Sequence, residues 1–180
     1  MGGRHESEWV ADMGRNGWPT WVGIRNHNLF CAVIARFAAD PEGEIIEYLR
    51  RDILNAALRN TDNHSRNTAF LKPSEGTAAL SPLYDFAPMF LDPEGIARSS
   101  RWGDDLEPKI GRPLWGKIAE SLAPRVEAKK LRALLARDAE PVERLPETLR
   151  ECGVEDHVIE KVARRCAEIA EDLLDAGPRG

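Results

Sequence analysis

Residues 60–67 read NTDNHSRN and stand between an apolar helical repeat and a short apolar stretch. Asp62 and Asn67 lie five positions apart, with His64 and Arg66 between them. Asn and Asp favour turns because their side chains bond the nearby backbone and tolerate left-handed conformations. Each residue alone therefore indicates a turn, and only the flanking sequence can decide whether the segment also holds a functional site.

The sequence before this segment predicts a helix. Asp40-Pro41 supplies an N-cap and a proline at the first helical position. Apolar side chains then recur at helical spacing, which predicts a helix over residues 44–59 that leads directly into NTDNHSRN. A short apolar helix over residues 30–38 precedes it. Residues 1–28 are rich in Gly, Asn and Trp without periodicity and indicate irregular structure.

The sequence after the segment predicts a β-hairpin. TAFLK (residues 68–72) and TAAL (residues 77–80) flank the turn-forming stretch Pro73–Gly76, so the hairpin should cover residues 68–80. A hairpin returns its chain to the point where it began. SPLYDF, residues 81–86, should therefore lie beside Asn67, and Asp62, Asn67 and Asp85 should share one small volume.

The remainder of the chain is predicted to be helical after a long loop over residues 92–113. Apolar periodicity, with breaks at Pro124 and Gly153, places helices at residues 114–122, 125–137, 142–152 and 155–175. The predicted fold is thus mainly α with one short inserted β-hairpin. We expect an irregular N-terminal segment plus short helix at residues 1–39 and a helical lobe at residues 40–177.

Composition excludes several classes of protein. A chain of 180 residues with 42% hydrophobic and 31% charged residues is typical of one soluble globular domain. A net charge of −5 gives no electrostatic reason to expect nucleic-acid binding. Three cysteines without a C-x-x-C pair favour a reducing compartment. No apolar run is long enough for a membrane span and the acidic N-terminus is unlike a signal peptide, so we expect a cytoplasmic protein.

The order of the polar residues has a chemical meaning. D-x-x-x-x-N in a loop, then a hairpin, then an Asp beside an aromatic residue is the order of the catalytic loop and magnesium-binding turn of protein kinases. Phosphoryl transfer needs a carboxylate that orients the attacking hydroxyl and accepts its proton, and Asp62 suits that role. Mg²⁺ needs oxygen ligands, which Asn67 and Asp85 can supply.

NTDNHSRNTAFL followed by LSPLYDFAP resembles the core of HipA-like serine/threonine kinases, the toxins of bacterial toxin–antitoxin pairs. The resemblance covers about residues 40–175 and implies a protein-kinase-like helical C-lobe. It implies that Asp62 is the catalytic base and that Asn67 and Asp85 hold Mg²⁺. The implied ATP-binding residues are His64, Ser65, Arg66, Asn67, Tyr84 and Asp85.

The same resemblance implies cofactors and partners. ATP with Mg²⁺ would be the phosphoryl donor, a protein hydroxyl the acceptor, and a helix-turn-helix antitoxin a partner. Arg66 stands where the family usually has Lys, which keeps the charge but changes the phosphate geometry.

One part of a kinase has no counterpart in the sequence. The first lysine is Lys72, and no G-x-G-x-x-G or G-x-x-x-x-G-K-[ST] motif is present to cover a triphosphate. We therefore expect the ATP-covering N-lobe on a separate chain. The alternatives are a truncated, inactive kinase relic and a regulatory protein-binding module. A magnesium-dependent phosphohydrolase using Asp62 and Asp85 is a further alternative, although such enzymes usually carry more carboxylates.

Overall fold

The computed structural model describes residues 26–64, 67–72, 78–95, 97–98 and 100–178, together with the backbone of residues 12–13 and 19–20. It is mainly helical with short antiparallel strand pairs, which confirms the predicted fold class. Within these residues, no helix is both long and apolar enough to cross a membrane.

Three of the helices are long, and the other helices and the strands are short. The helices are α1 (His27–Phe37), α2 (Pro41–Ala57), α3 (Trp115–Ser121), α4 (Ala128–Glu143), α5 (Leu145–Glu151) and α6 (Asp156–Asp175), with a 3-10 turn at Met89–Leu91. The strands are β1 (Asp12–Met13) paired with β2 (Pro19–Thr20), and β3 (Phe70–Leu71) paired with β4 (Ala79–Leu80).

The two elements that flank NTDNHSRN form as predicted. The Asp40 side chain accepts a 3.0 Å hydrogen bond from the Gly43 N–H and so caps α2. The predicted hairpin is the antiparallel pair β3–β4, with Phe70 opposite Leu80. Its predicted turn, Pro73–Gly76, lies outside the described residues.

Two predictions for the N-terminal part need correction. Residues 1–28 are not irregular throughout, because β1 and β2 pair there and α1 already begins at His27. The early start of α1 has a local cause: the Asn26 side chain accepts a 3.1 Å hydrogen bond from the Leu29 N–H, a cap that the apolar pattern does not reveal.

The boundary between the helices predicted for residues 125–137 and 142–152 is displaced, although the second helix forms. Helix α4 continues through Pro141 to Glu143, and α5 then begins at Leu145. Proline removes one backbone donor, but Val142 is 5% exposed and its burial holds the last turn of α4 on the core. The Arg144 N–H also donates to the Glu140 carbonyl at 3.1 Å, which closes that turn.

The core forms where α2, α3, α4 and α6 meet, and it fixes the end of α2. Ile45, Leu49 and Ile53 on α2 pack with the apolar faces of the other helices, and each such buried side chain contributes about 1.5–3 kcal/mol. Helix α6 also binds the last carbonyl groups of α2. Arg165 Nε donates to the Ala56 oxygen at 3.2 Å, and Cys166 Sγ lies 3.7 Å from the Ala57 oxygen.

Candidate active site

The loop that carries Asp62 leaves α2 in a fixed direction. Arg59 has φ 55°, a left-handed conformation that ends the helix. The Asn60 N–H donates to the Asn55 carbonyl at 2.9 Å, and the two side-chain amides join at 2.9 Å. Asn60 is only 4% exposed. The buried Asn60 side chain therefore holds the following residues of the loop in place.

Hydrogen bonds within the loop shape the segment from Asp62 to Asn67. The Asp62 N–H donates to Asn60 Oδ1 at 3.2 Å, and Asn67 Nδ2 donates to the Asp62 carbonyl at 2.8 Å. The Asn67 N–H donates to the His64 carbonyl at 3.0 Å. Because the Asn67 amide nitrogen is used inside the loop, its Oδ1 is the atom that remains as a ligand donor.

The hairpin brings the chain back onto α2. The Ser81 N–H donates to the Ala69 carbonyl at 2.7 Å. The Leu80 N–H donates to Glu44 at 3.0 Å, and Arg51 Nη2 donates to the Ser81 carbonyl at 2.8 Å. Two side chains of α2 thus hold the point at which the hairpin ends, and the following residues lie against the Asp62 loop.

The structure brings most of the predicted site residues together in one cleft, as the hairpin argument predicts. We call it the Asp62 cleft, and its lining includes Asp62, His64, Asn67, Tyr84 and Asp85. The Asp62 side chain is 25% exposed, and its Oδ1 lies 3.4 Å from His64 Nε2. Ser65 and Arg66, also predicted for this site, lie outside the described residues.

Asp85 has an unusual backbone conformation at the mouth of this cleft. Its φ is 52°, in the left-handed region that Asp occupies more readily than most residues. Asp85 is exposed, and Tyr84 beside it is 41% exposed. The carboxylate is therefore accessible to a ligand that enters from solvent.

The donor set of the cleft fits a magnesium ion that also binds phosphates. No group of three or more His, Cys, Asp or Glu that could hold a metal occurs among the residues described. Mg²⁺, however, usually takes only one or two protein ligands and completes its shell with phosphates and water. Asn67 Oδ1 and the Asp85 carboxylate match that need. His64 Nδ1 is buried and has no hydrogen-bond partner in the described part of the chain, so a polar atom remains for a ligand.

A buried charge network lies beneath the cleft, and sequence analysis missed it. Asp52 on α2 accepts two hydrogen bonds from Arg98, at 2.8 and 3.0 Å, and one from Trp102 Nε1 at 2.8 Å. Arg98 also lies 3.0 Å from Glu107, and all of these side chains are nearly inaccessible. Burial acts to raise the pKa of Asp52, but Arg98, His27 and Trp102 outweigh it and hold that pKa below its usual range.

The model of the HipA-like C-terminal domain matches residues 23–172. This chain belongs to the HipA-like C-terminal domain family. No curated protein and no solved structure matches the chain. The match runs from before α1 into α6, contains the whole Asp62 cleft, and relates the HipA-like domain to HipA-type toxin kinases.

Asn63 connects the buried network to the loop of this HipA-like domain. It is 9% exposed, and its Nδ2 lies 3.3 Å from both Asp52 Oδ1 and the Ser100 carbonyl. Asn63 is therefore bound to the buried network, and its neighbours Asp62 and His64 line the cleft. One signal in the sequence points to this anchor: Asp52 is a charged residue within the apolar stripe of α2.

The buried His27 should make the stability of the HipA-like domain pH-dependent. It is 2% exposed, its Nδ1 lies 2.6 Å from the Tyr48 hydroxyl, and burial lowers its pKa below the ordinary 6.5. Below about pH 6.5 the unfolded chain gains a proton that the folded chain does not take up. The free energy of unfolding should thus be constant above about pH 6.5 and fall on acidification, by up to about 1.4 kcal/mol per pH unit.

Urea unfolding between about pH 5 and about pH 8 measures this slope. The His27→Gln variant should flatten it. His157→Gln is the control, because that side chain is 60% exposed and should leave the slope unchanged. An equal slope in the His27→Gln variant and the unaltered chain would show that another group is responsible.

Proposed function

We propose that this HipA-like domain is the catalytic lobe of a serine/threonine protein kinase, with Asp62 as the base. The observation that supports the proposal most strongly is the shared lining of the Asp62 cleft by Asp62, Asn67 and Asp85. These residues are separated in sequence by the hairpin, and two side chains of α2 hold its end against the loop. A simple turn needs no such convergence.

Asp62 would act on the hydroxyl of the protein substrate. Its carboxylate accepts the hydroxyl proton while the substrate oxygen forms a bond to the γ-phosphorus of ATP and the bond to the leaving ADP oxygen breaks. The Asn60 and Asn67 side chains form hydrogen bonds with the backbone N–H and C=O of Asp62, so the backbone position from which the carboxylate extends is fixed. His64 Nε2, 3.4 Å away, limits its rotation further.

Asn67 and Asp85 would hold the magnesium ion. When bound, Mg²⁺ neutralises charge on the phosphates as transfer proceeds. The hydrogen bond from Asn67 Nδ2 to the loop carbonyl keeps Oδ1 available for the ion. His64, Ser65, Arg66 and Tyr84 are proposed to bind the nucleotide, with the Arg66 guanidinium serving as the cation for the phosphates.

We further propose that an N-lobe outside these 180 residues covers the ATP and that a helix-turn-helix antitoxin binds the assembly in the cytoplasm. Residues 1–71 contain no lysine to pair with the phosphates. Leu83 lies at the cleft with 40% exposure, so an apolar side chain can contact a covering lobe there.

The isolated chain should bind Mg²⁺–ATP weakly and transfer phosphate at a negligible rate. It offers a base and metal ligands, but its sequence before Lys72 contains no lysine and no glycine-rich phosphate-binding motif, and phosphoryl transfer depends almost wholly on positioning and electrostatic stabilisation. The measurement is labelling of bacterial lysate proteins with radioactive ATP and Mg²⁺, with and without a candidate N-lobe encoded by a neighbouring gene.

Labelling that requires the added lobe and disappears in the Asp85→Ala variant would support the kinase proposal. Strong labelling by the isolated chain would show that no second lobe is needed. Absence of labelling under both conditions, with the added lobe shown to bind, would favour an inactive relic.

A further inference from the structure

A second cleft shares the Asn55–Asn60 pair with the Asp62 cleft. It has a volume of about 420 Å³ and is formed by the end of α2, the segment around residues 109–112, and α6. Seven of its lining side chains are Arg or Lys and one is acidic, in a chain whose net charge is −5. We call it the basic cleft. Its volume is in the range of small-molecule sites, about 300–1,000 Å³.

One wall of the basic cleft is built around two arginines that are held in place. Arg112 Nη2 lies 3.0 Å from Asp172, and Arg165 Nη1 lies 3.2 Å from Glu168. Arg165 also donates to the carbonyls of Ala56 and Gly111. Their positions are therefore fixed before any ligand arrives, which reduces the entropy lost on binding.

Three other cations of the basic cleft have no counter-ion among the residues described. Arg59, Lys109 and Lys161 are exposed and form no ion pair with any residue in the described part of the chain. They come from the end of α2, the segment around residues 109–112 and α6, so three separate elements bring cations to the same cleft. Arg59 lies over the Phe90 ring at 4.7 Å, which restricts its guanidinium. Like charges gathered in a concave site raise its positive potential and favour an anion.

We propose that the basic cleft binds a polyphosphate group, either free polyphosphate or the phosphate tail of a nucleotide. A compact ligand with several adjacent negative charges can pair with more of these cations at once than a single phosphate can. Thr61 Oγ1 adds a polar atom to the lining: it is buried and has no hydrogen-bond partner within the described residues. This site is distinct from the Asp62 cleft, since none of Arg59, Lys109 and Lys161 lines the latter.

The position of the basic cleft couples it to the Asp62 loop. Asn55 and Asn60 line both clefts, and Asn60 Oδ1 accepts the Asp62 N–H. Asn60 is hydrogen-bonded to the Asp62 backbone and Thr61 is covalently linked to it. A polyphosphate that contacts either residue can therefore change the position of the Asp62 backbone. Its consequence for catalysis depends on the proposed kinase function, whereas its binding does not.

Binding is tested by calorimetric titration of the full chain with tripolyphosphate in magnesium-free buffer containing EDTA. The unaltered chain should show saturable binding. The double variant Lys109→Gln/Lys161→Gln should weaken it roughly tenfold, because it removes two exposed, unpaired cations of the cleft. The matched control is Lys117→Gln/Lys129→Gln, two exposed lysines outside the cleft, which should change the affinity by less than about twofold.

Two further measurements define the ligand and the coupling. ATP that binds as tightly as tripolyphosphate indicates that the phosphate chain alone is recognised, whereas tighter binding of ATP indicates a nucleotide. The NMR signal of the Asp62 amide should shift during the tripolyphosphate titration of the unaltered chain and not shift in the Lys109→Gln/Lys161→Gln variant. No saturable binding, or equal weakening in both double variants, would overturn the proposal. None of these readouts requires phosphoryl transfer, so failure of the kinase proposal would leave them interpretable.

Discussion

Replacing Asp62 with Asn should lower the phosphoryl-transfer rate of the complete kinase assembly by roughly 10²–10⁴-fold. Asn has the same shape but cannot accept a proton from the substrate hydroxyl. The melting temperature should barely change, because the Asp62 side chain is 25% exposed and meets only His64, at 3.4 Å, among the ion pairs of the described residues. The hydrogen bonds of the Asp62 backbone remain in the variant.

The experiment compares initial rates and melting temperatures for Asp62→Asn and Asp105→Asn. Asp105 is an exposed carboxylate outside the Asp62 cleft, so its variant should keep both values. If Asp62→Asn lowered the melting temperature strongly and left phosphorylation unchanged, Asp62 would be a residue of the turn and not the base.

Replacing Asp52 with Asn should destabilise the domain by about 3–5 kcal/mol, because removal of one partner from a buried pair leaves the other charge uncompensated. Asp52 and Arg98 are each only 2% exposed in their side chains, and they meet at 2.8 Å. Asn can still accept from Trp102 but cannot balance Arg98, which would then depend on Glu107 alone. Urea unfolding at neutral pH measures the loss.

Asp138→Asn is the matched control for this prediction. Asp138 pairs with Arg50 at 2.6 Å, but these side chains are 16% and 39% exposed, so solvent screens the pair. Its loss should cost about 1 kcal/mol or less. An Asp52→Asn cost no larger than that of Asp138→Asn would show that the buried network contributes little to stability.

Acid should weaken the same network in a defined pH range. The folded-state pKa of Asp52 lies below its ordinary value, so its stabilising contribution is complete above the unfolded-state pKa of about 3.9. The contribution is lost as the pH falls through the folded-state pKa. The loss due to Asp52 begins below about pH 3.9, whereas the loss due to His27 begins at about pH 6.5, so the two onsets can be distinguished in one series of unfolding curves.

The parts of the fold that sequence predicts correctly depend on local signals. Asp40-Pro41 and the apolar period of α2 predict that helix, and two short apolar stretches around a Pro/Gly turn predict the hairpin. Their combination also brings the Asp62 loop and Asp85 to one cleft. The boundary between α4 and α5 was missed because burial of Val142 outweighs the local effect of Pro141.

The features that sequence reasoning missed depend on contacts between distant residues. Asp52 and Arg98 are 46 positions apart, and nothing near Arg98 indicates that it is buried. The basic cleft is similar, since Arg59, Lys109 and Lys161 each look like ordinary exposed residues in their own segments. The packing of α6 and of the segment around residues 109–112 against the end of α2 brings these cations together.

The attachment of α6 to the last turn of α2 bears on when the Asp62 loop can form during protein synthesis. The carbonyls of Ala56 and Ala57 find their partners on Arg165 and Cys166, more than a hundred residues later in the chain. When the segment NTDNHSRN leaves the ribosome, Arg165 and Cys166, whose side chains bind the end of α2, have not yet been synthesised. We therefore expect the nascent chain to carry every residue of the proposed active site before α6 is available to hold the end of α2 that leads into it.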